Sequence, residues 1–480
     1  MRRLLALLSL AALAACSTMP PDAGVPANAV IHQASANGPF VGATNPAFTP
    51  APVPADWWRL YDSPALDGLV AQALGANTDL RVAGANLEKA QAGLDAADSA
   101  REPSTSVYAS PVYGRESAEE HLIPGGKPLP NLFLYGAGLN VSYQVDLFGQ
   151  IAHSIDAAQA DVGAATAARD AVRVTVVAET TRAYLDVCST GREIDVAQRL
   201  IALQARSTAL TRRLADGGRA NEIDTKRSTV QEDQVRASLP QLQAQRRLAL
   251  YRLAVLTGRP PADFPKDVAE CAQEPRLANA IPVGDGAALL ARRPDVRRAE
   301  YEVRAASDRI GVATADLYPK ISLGASIGSV GALTSGFDKD TYKFSLGPLV
   351  SWEFPDRARV KAHIRGADAD RDASLARFDG TVLGALKETE SALEVLARDQ
   401  ERRDILDAAQ HKAADAAHDT ERLFESGRQG YLPVLDANRT LISLEQSAAA
   451  ADSKIASDQV SLFLALGGGW QDSAQAAAKP

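Results

Sequence analysis

The chain contains 480 residues with a formal net charge of −8, and only 5% of its residues are aromatic. This acidic balance excludes nucleic acid as a partner, because nucleic-acid binding needs a basic face. The six histidines show no metal-ligand spacing, and the sequence contains neither a phosphate-binding glycine loop nor a nucleophile elbow. We therefore expect no enzyme activity, no cofactor and no metal.

The start of the chain has the pattern of an export signal. Two arginines follow the first methionine, a short apolar stretch runs from Leu4 to Leu13, and small residues precede Cys16. This stretch is too short to span a membrane, which takes about 20 residues. Its end resembles a bacterial lipobox, in which Cys16 is acylated; an ordinary signal peptide with an incidental cysteine is the alternative. Because Ser17 is not the aspartate that resembles an inner-membrane retention signal, we expect an outer-membrane lipoprotein.

Two parts of the chain repeat one pattern about 210 residues apart, which indicates a duplicated structural unit. Segment 77–81 corresponds to 293–297, and each opens a helical pattern that gives way to strand-like alternation and then to a long helical hairpin. The residues before the first repeat lack periodicity and predict an extended strap. The predicted segments are a signal peptide at 1–15, a lipidated strap at 16–60, a first repeat at 61–270, a connector at 271–284, a second repeat at 285–466 and a tail at 467–480.

Alternation of apolar with small or polar residues predicts pairs of strands. Every odd position from Phe133 to Val145 is apolar, and the pattern recurs at 321–328, at 342–354 and, more weakly, at 107–113. Strands of about ten residues with an apolar outer face and aromatic ends are typical of an outer-membrane β-barrel. A soluble sheet with one wet face is the alternative. Because four strands leave open edges in lipid, several copies must complete a barrel, and three copies would give about 12 strands.

Long helical patterns predict two hairpins. The first runs from about 152 to 214 and returns from 222 to 257, and the second runs from about 359 to 424 and returns to 466. A helix of about 60 residues is roughly 90 Å long. Leucines spaced by three and four indicate a coiled-coil contact, and alanines on the adjoining face favour packing on two sides. A lone intramolecular bundle, which buries one stripe only, is the alternative.

Several motifs along nearly all of the mature chain carry a family resemblance. They lie at 57–66, 145–149, 284–296, 310–319, 435–441 and 465–470. Together they resemble the outer membrane factors, which are TolC-type efflux channels, and most closely the lipidated OprM and NodT branch. One departure is segment 353–357, where many relatives carry a Phe-Asp-Gly turn.

The resemblance implies a mixed α/β membrane channel of homotrimeric form. Its 12-stranded β-barrel, with four strands per chain, would lie in outer-membrane lipid and continue as a long α-helical coiled-coil barrel across the periplasm. Such a channel is the exit duct of a tripartite efflux system, and it receives small toxic compounds or drugs from an inner-membrane pump and a periplasmic adaptor. The outer-membrane component of a type I protein secretion system has the same fold. A structural coiled-coil envelope lipoprotein is an alternative of a different class.

The second hairpin contains a candidate gate just past its turn. Leu432, Asp436 and Arg439 are spaced to share one helix face. The resemblance implies that aligned positions form a periplasmic aperture, with a Leu432 ring and contacts between Asp436 and Arg439 near the axis. The matching face of the first hairpin carries Ile223, Arg227 and Val230. An ordinary surface ion pair between Asp436 and Arg439 is the alternative.

The turns of the two hairpins are candidate docking sites for the adaptor, because glycine lets another backbone approach closely. The residues concerned are Gly217, Gly218, Arg219, Gly427 and Arg428. Helix capping explains the glycines equally well.

A disulfide is predicted from the number of cysteines. Cys188 and Cys271 are the two that remain once Cys16 is acylated, and the periplasm is oxidising. The bond would hold the connector against the first long helix. Two separate thiols are the alternative.

Overall fold

The computed structural model describes residues 24–115, 117–118, 128–218, 221–277, 279–352 and 357–470. The chain forms two compact units, each assembled from both repeats. Residues 87–165 and 299–378 belong to the first unit, and residues 27–86, 166–298 and 379–470 belong to the second. Among the helices of the described residues, none combines the length and apolar composition needed to cross a bilayer.

Each repeat begins with two helices and ends with a hairpin of two long ones. The helices are α1 (Pro64–Ala76), α2 (Thr78–Asp98), α3 (Gln150–Asp216), α4 (Glu222–Leu256), α5 (Gly286–Arg292), α6 (Pro294–Ala315), α7 (Arg357–Glu425) and α8 (Tyr431–Ala465). Side chains fix several starting points: Asp285 accepts the backbone N–H of Ala288 at 2.8 Å, and Asn221 accepts that of Ile223 at 3.0 Å. The predicted bounds of the hairpin helices agree with those of the structure to within about two residues at each end.

The strands form two sheets. They are β1 (Phe48–Thr49), β2 (Ser104–Gly114), β3 (Leu132–Val145), β4 (Ile281–Pro282), β5 (Lys320–Ala332) and β6 (Tyr342–Ser351). Strands β1 and β4 pair in parallel within the second unit. The first unit contains an antiparallel sheet of four strands in the order β2-β3-β5-β6. Its central pair, β3 and β5, joins the two repeats.

The register of the four-stranded sheet aligns apolar side chains of all four strands on one face. Val107, Leu139, Ile327 and Phe344 lie opposite one another across all four strands. These side chains form an exposed apolar face, with Phe344 85% and Val107 81% exposed. The next row places Gly138 beside Gly328 and under the Tyr108 ring, where a Cβ on Gly138 would lie 2.7 Å from the Ile327 carbonyl oxygen. The alternation in sequence is thus a real separation of faces.

Trp57 lies at the centre of the core of the second unit, next to the C-terminal end of α8. Trp57 is fully buried and stacks on Phe463 with ring centroids 4.5 Å apart. Gly468 passes directly beside the indole, because a Cβ there would lie 2.9 Å from its Cδ1. Gly467 and Gly469 on either side have φ of +66° and +104°. The glycine run therefore ends α8 and lets the chain pass close to the indole.

The strap is more ordered than its composition predicts. In its described part, from residue 24 onward, Phe40, Phe48 and Val53 are buried in the core of the second unit. The Glu390 carboxylate accepts the backbone N–H groups of Val41 and Gly42 at 2.8 and 2.9 Å. Single anchors separated by irregular backbone have no periodicity, so sequence patterns do not reveal them.

Candidate functional site

The predicted gate residues share one exposed face of α8. Leu432 is 59% exposed, and Asp436 and Arg439 are also exposed, whereas Val434 and Leu435 of the opposite face are buried. This face is available to another molecule or another copy.

The two charges of this face do not pair with each other. Within the described residues, Asp436 and Arg439 have no ion-pair partner within hydrogen-bonding or salt-bridge distance. The alternative of an ordinary surface ion pair is therefore not formed in the single chain. On the matching face of α4, Ile223 and Val230 are exposed, and the Arg227 guanidinium lies 3.8 Å from the Asp224 carboxylate.

A buried polar cluster lies behind this face and joins the two hairpins. The Tyr431 hydroxyl donates to Ser228 Oγ at 2.8 Å and lies 3.0 Å from Ser207 Oγ. Thr208 Oγ1 lies 2.9 Å from the same Ser228 oxygen, and Gln204 Nε2 donates to it at 3.2 Å. These residues, which we call the tip cluster, connect α3, α4 and α8. Sequence reasoning missed it, since serines and threonines within helices carry no signal of their partners.

The turns of the hairpins have the backbone geometry of helix stops. Gly218 and Gly427 have φ of +70° and +74°. The Arg428 N–H donates to the Leu423 carbonyl at 2.9 Å, a bond that closes a helix end in this way. Capping therefore accounts for both glycines, and Gly217, Gly218, Gly427 and Arg428 are all exposed at the turns. Arg219 lies outside the described residues, as does Cys16.

The connector is tied to the first hairpin by a disulfide. Cys188 of α3 is bonded to Cys271, with Cα atoms 4.7 Å apart, and the Cys188 side chain is fully buried. Gly191 lies one turn further along α3, and a Cβ there would lie 2.0 Å from the Cys271 carbonyl oxygen. Only glycine at this position lets the connector backbone lie directly on the helix.

Charged groups hold the connector beside the disulfide. The Asp452 carboxylate of α8 receives Arg192 at 2.7 Å, Arg276 at 3.0 Å and Arg403 at 3.0 Å, from three different segments. Glu274 lies 3.7 Å from Arg192. Burial, with the negative charge of Asp452 added, raises the pKa of Glu274 to about 7.

Paired helical hairpins and a four-stranded sheet with an exposed apolar face characterise the described part of the chain. The outer membrane efflux protein model matches residues 69–259 and 287–468. The pyoverdine export outer membrane protein OpmQ of Pseudomonas putida is 30% identical over 97% of this chain and 96% of its own. The toluene efflux pump outer membrane protein TtgI of Pseudomonas putida is 28% identical over 86% of this chain and 87% of its own.

A solved structure of an outer-membrane channel is also similar to this chain. The outer-membrane channel OprN has a TM-score of 0.86 and 32% sequence identity, over 95% of this chain and 100% of that chain. The chain therefore belongs to the outer membrane efflux protein family. It is an efflux component of the outer membrane and not an enzyme, and the family, fold class and function predicted from its motifs are confirmed.

Proposed function

We propose that three copies of this chain form the exit duct of a tripartite efflux system. The duct passes small toxic compounds, delivered by an inner-membrane pump and a periplasmic adaptor, to the exterior. The observation that carries this proposal is the four-stranded sheet, whose order leaves β2 and β6 at its edges.

Those edges favour assembly. Within the described residues neither β2 nor β6 has a second strand partner. Their apolar side chains, with Val107 and Phe344 the most exposed, suit lipid, but lipid offers nothing to unpaired backbone groups. Pairing β6 of one copy with β2 of the next satisfies both edges, and three copies give about 12 strands.

The N-terminal part would attach this duct to the membrane. Acylation of Cys16 would add a lipid anchor to the barrel, with 1–15 removed as signal peptide and 16–60 as the strap. The segments 61–270 and 285–466 would act as the two repeats, joined by the connector 271–284 and followed by the tail 467–480. Burial of Phe40 and Phe48 supports a strap that holds on to the helical body.

The periplasmic end would be closed by the exposed face of α8. Leu432 of each copy would narrow the aperture, while Asp436 and Arg439, which have no ion-pair partner among the described residues, would contact the neighbouring copy. Charged rings at a constriction also set ion preference. The exposed turns with Gly217, Gly218, Arg219, Gly427 and Arg428 would receive the adaptor.

Conductance across a planar lipid bilayer tests the duct directly. Purified full-length protein should give discrete channels, because a closed barrel encloses water. A structural lipoprotein would insert without conductance, and that result would overturn the proposal.

A deletion strain tests the cargo. We expect greater sensitivity to a panel of toxic compounds, as for a pump component such as the toluene efflux relative. Unchanged sensitivity together with loss of a secreted protein from the medium would show a protein exporter instead.

A further inference from the structure

The first unit contains a cluster of metal-ligand side chains that sequence spacing does not reveal. His153 and Asp156 lie near the start of α3, and Asp308 lies on α6. One donor atom from each of the three lies within 4.8 Å of the others. We propose that His153, Asp156 and Asp308 bind a divalent transition-metal cation of the Zn²⁺ type.

The position of the imidazole is set by two glycines. A Cβ on Gly311 of α6 would lie 2.5 Å from the His153 Cδ2 atom, so the ring occupies space that any other residue would fill. A Cβ on Gly149 would lie 3.3 Å from the same atom. The ring is therefore held in one place, as the ligand of a preorganised site must be.

The free ring nitrogen points to a missing partner. His153 Nδ1 is buried and has no hydrogen-bond partner in the described part of the chain. Its nearest carboxylate oxygen, Asp308 Oδ1, lies 4.0 Å away. This gap is too long for a hydrogen bond, but a cation bound at about 2.0–2.2 Å from each atom fits between them after a small approach.

The charges of the cluster also favour a cation. Neither Asp156 nor Asp308 has a lysine or arginine within ion-pair distance among the described residues. The adjacent Arg309 bonds to Asp161 at 2.6 Å, and its charge acts on Asp308 from beyond ion-pair distance. Two carboxylates on neighbouring helices therefore share one histidine, and a bound cation would neutralise the excess negative charge.

The donor set indicates the class of metal. One imidazole nitrogen with carboxylate oxygens suits Zn²⁺ and similar cations better than Mg²⁺ or Ca²⁺, which prefer oxygen alone. Asp308 is buried and Asp156 is exposed, so the site has a fixed inner side and an entry path from solvent. Water would complete the coordination. The cation would join α3 to α6, and thereby one helix of each repeat.

Calorimetric titration of Zn²⁺ into untagged, chelator-stripped full-length protein tests the site. We expect one Zn²⁺ per chain. Asp156→Asn, an exposed change that leaves the fold intact, and Asp308→Asn should each weaken binding by at least about 10-fold, because even the loss of an outer-shell partner costs about 10- to 100-fold. His153→Gln should abolish the Zn²⁺-dependent rise in the apparent Tm, while its apparent Tm without metal stays near that of the unchanged protein.

His411 provides a matched control, because it lies 3.8 Å from a single carboxylate, Asp407, on an exposed helix face. His411→Gln should bind Zn²⁺ as the unchanged protein does. Absence of Zn²⁺ binding by the unchanged protein would overturn the site. Equal binding by Asp156→Asn and the unchanged protein, or a loss in His411→Gln as large as in His153→Gln, would overturn it as well.

Discussion

The connector and the hairpin tips lie at different points along the same long helices and are held by different interactions. The connector is fixed to α3 by a covalent bond, by the backbone contact at Gly191 and by the three arginines around Asp452. The tips are joined by neutral hydroxyl groups around Tyr431 and Ser228. Neutral hydrogen bonds contribute about 1 kcal/mol each, far less than a disulfide. The connector should therefore stay attached to α3, whereas the contacts between the hairpin tips are weak enough to separate.

Removing the disulfide should weaken the attachment of the connector more than any other single change. The bond closes a loop with a sequence separation of 83, for which chain entropy gives about 4 kcal/mol. Cys188→Ser combined with Cys271→Ser should lower the apparent Tm strongly. Thiol labelling of denatured, unreduced protein is the control: two labelled cysteines per chain would show that the bond is absent from the protein.

The charged groups of the connector should make its attachment sensitive to pH. Because the pKa of Glu274 is raised from 4.5 to about 7, the folded state binds its proton more tightly than the unfolded state. The contribution of Glu274 to stability is therefore fully present below pH 4.5 and is lost as pH rises through 7, by up to about 3 kcal/mol. Arg192 and Arg276 oppose the shift, and Asp452 adds to it.

Glu274→Gln should remove this contribution to the pH dependence. Apparent Tm measured from pH 4 to 8 for both proteins checks it. The same decline in the variant as in the unchanged protein would assign the pH dependence to other groups.

The tip cluster should weaken when one hydroxyl is removed. Tyr431→Phe removes the hydroxyl that Ser228 and Ser207 share, while Thr208 and Gln204 still bond to Ser228, so the cost is about 1 kcal/mol. We expect more frequent opening in single-channel records with little change in apparent Tm. Tyr251→Phe is the matched control, because that ring packs near Phe264 and its hydroxyl has no partner among the described residues. Equal records for the two variants would remove the cluster from gating.

The gate residues should affect conductance with almost no effect on stability. Asp436→Ala with Arg439→Ala should raise single-channel conductance, because the proposed contacts with the neighbouring copy at the aperture would be lost. Neither side chain has an ion-pair partner among the described residues, so we expect the fold of the single chain to be little affected. Unchanged conductance and unchanged exclusion of vancomycin by cells would contradict the gate assignment.

Substitutions at the turns should act mainly on binding of the adaptor and only modestly on the stability of the protein itself. Bulky replacement of Gly218 or Gly427 should abolish efflux, while the trimer and its membrane insertion persist. The positive φ of both residues adds about 1–2 kcal/mol of backbone strain. Gly217→Ala is the strain-free control, since its Cβ meets nothing closer than 3.5 Å. Loss of the trimer in the bulky variants would make these glycines structural.

Features with a local period were predictable, and those that depend on distant partners were not. The alternation from Phe133 to Val145 gave β3 to within one residue, because one face of the strand meets a different environment from the other. The disulfide followed from the number of cysteines. In contrast, the tip cluster, the charges around Asp452 and the His153 cluster each depend on at least one contact between residues more than about 100 positions apart, where periodicity carries no information.

The strand order has a consequence for symmetry. In the proposed ring, β3 and β5 pair a first repeat with a second within one chain, while β6 and β2 pair a second repeat with a first between chains. Half of the junctions between repeats are therefore made inside a chain, where the effective concentration of the partner is high and no translational entropy is lost. Fusion of the two repeats in one chain thus lowers the entropic cost of closing the ring. It also ensures that first and second repeats alternate around the ring, although only one kind of chain is used.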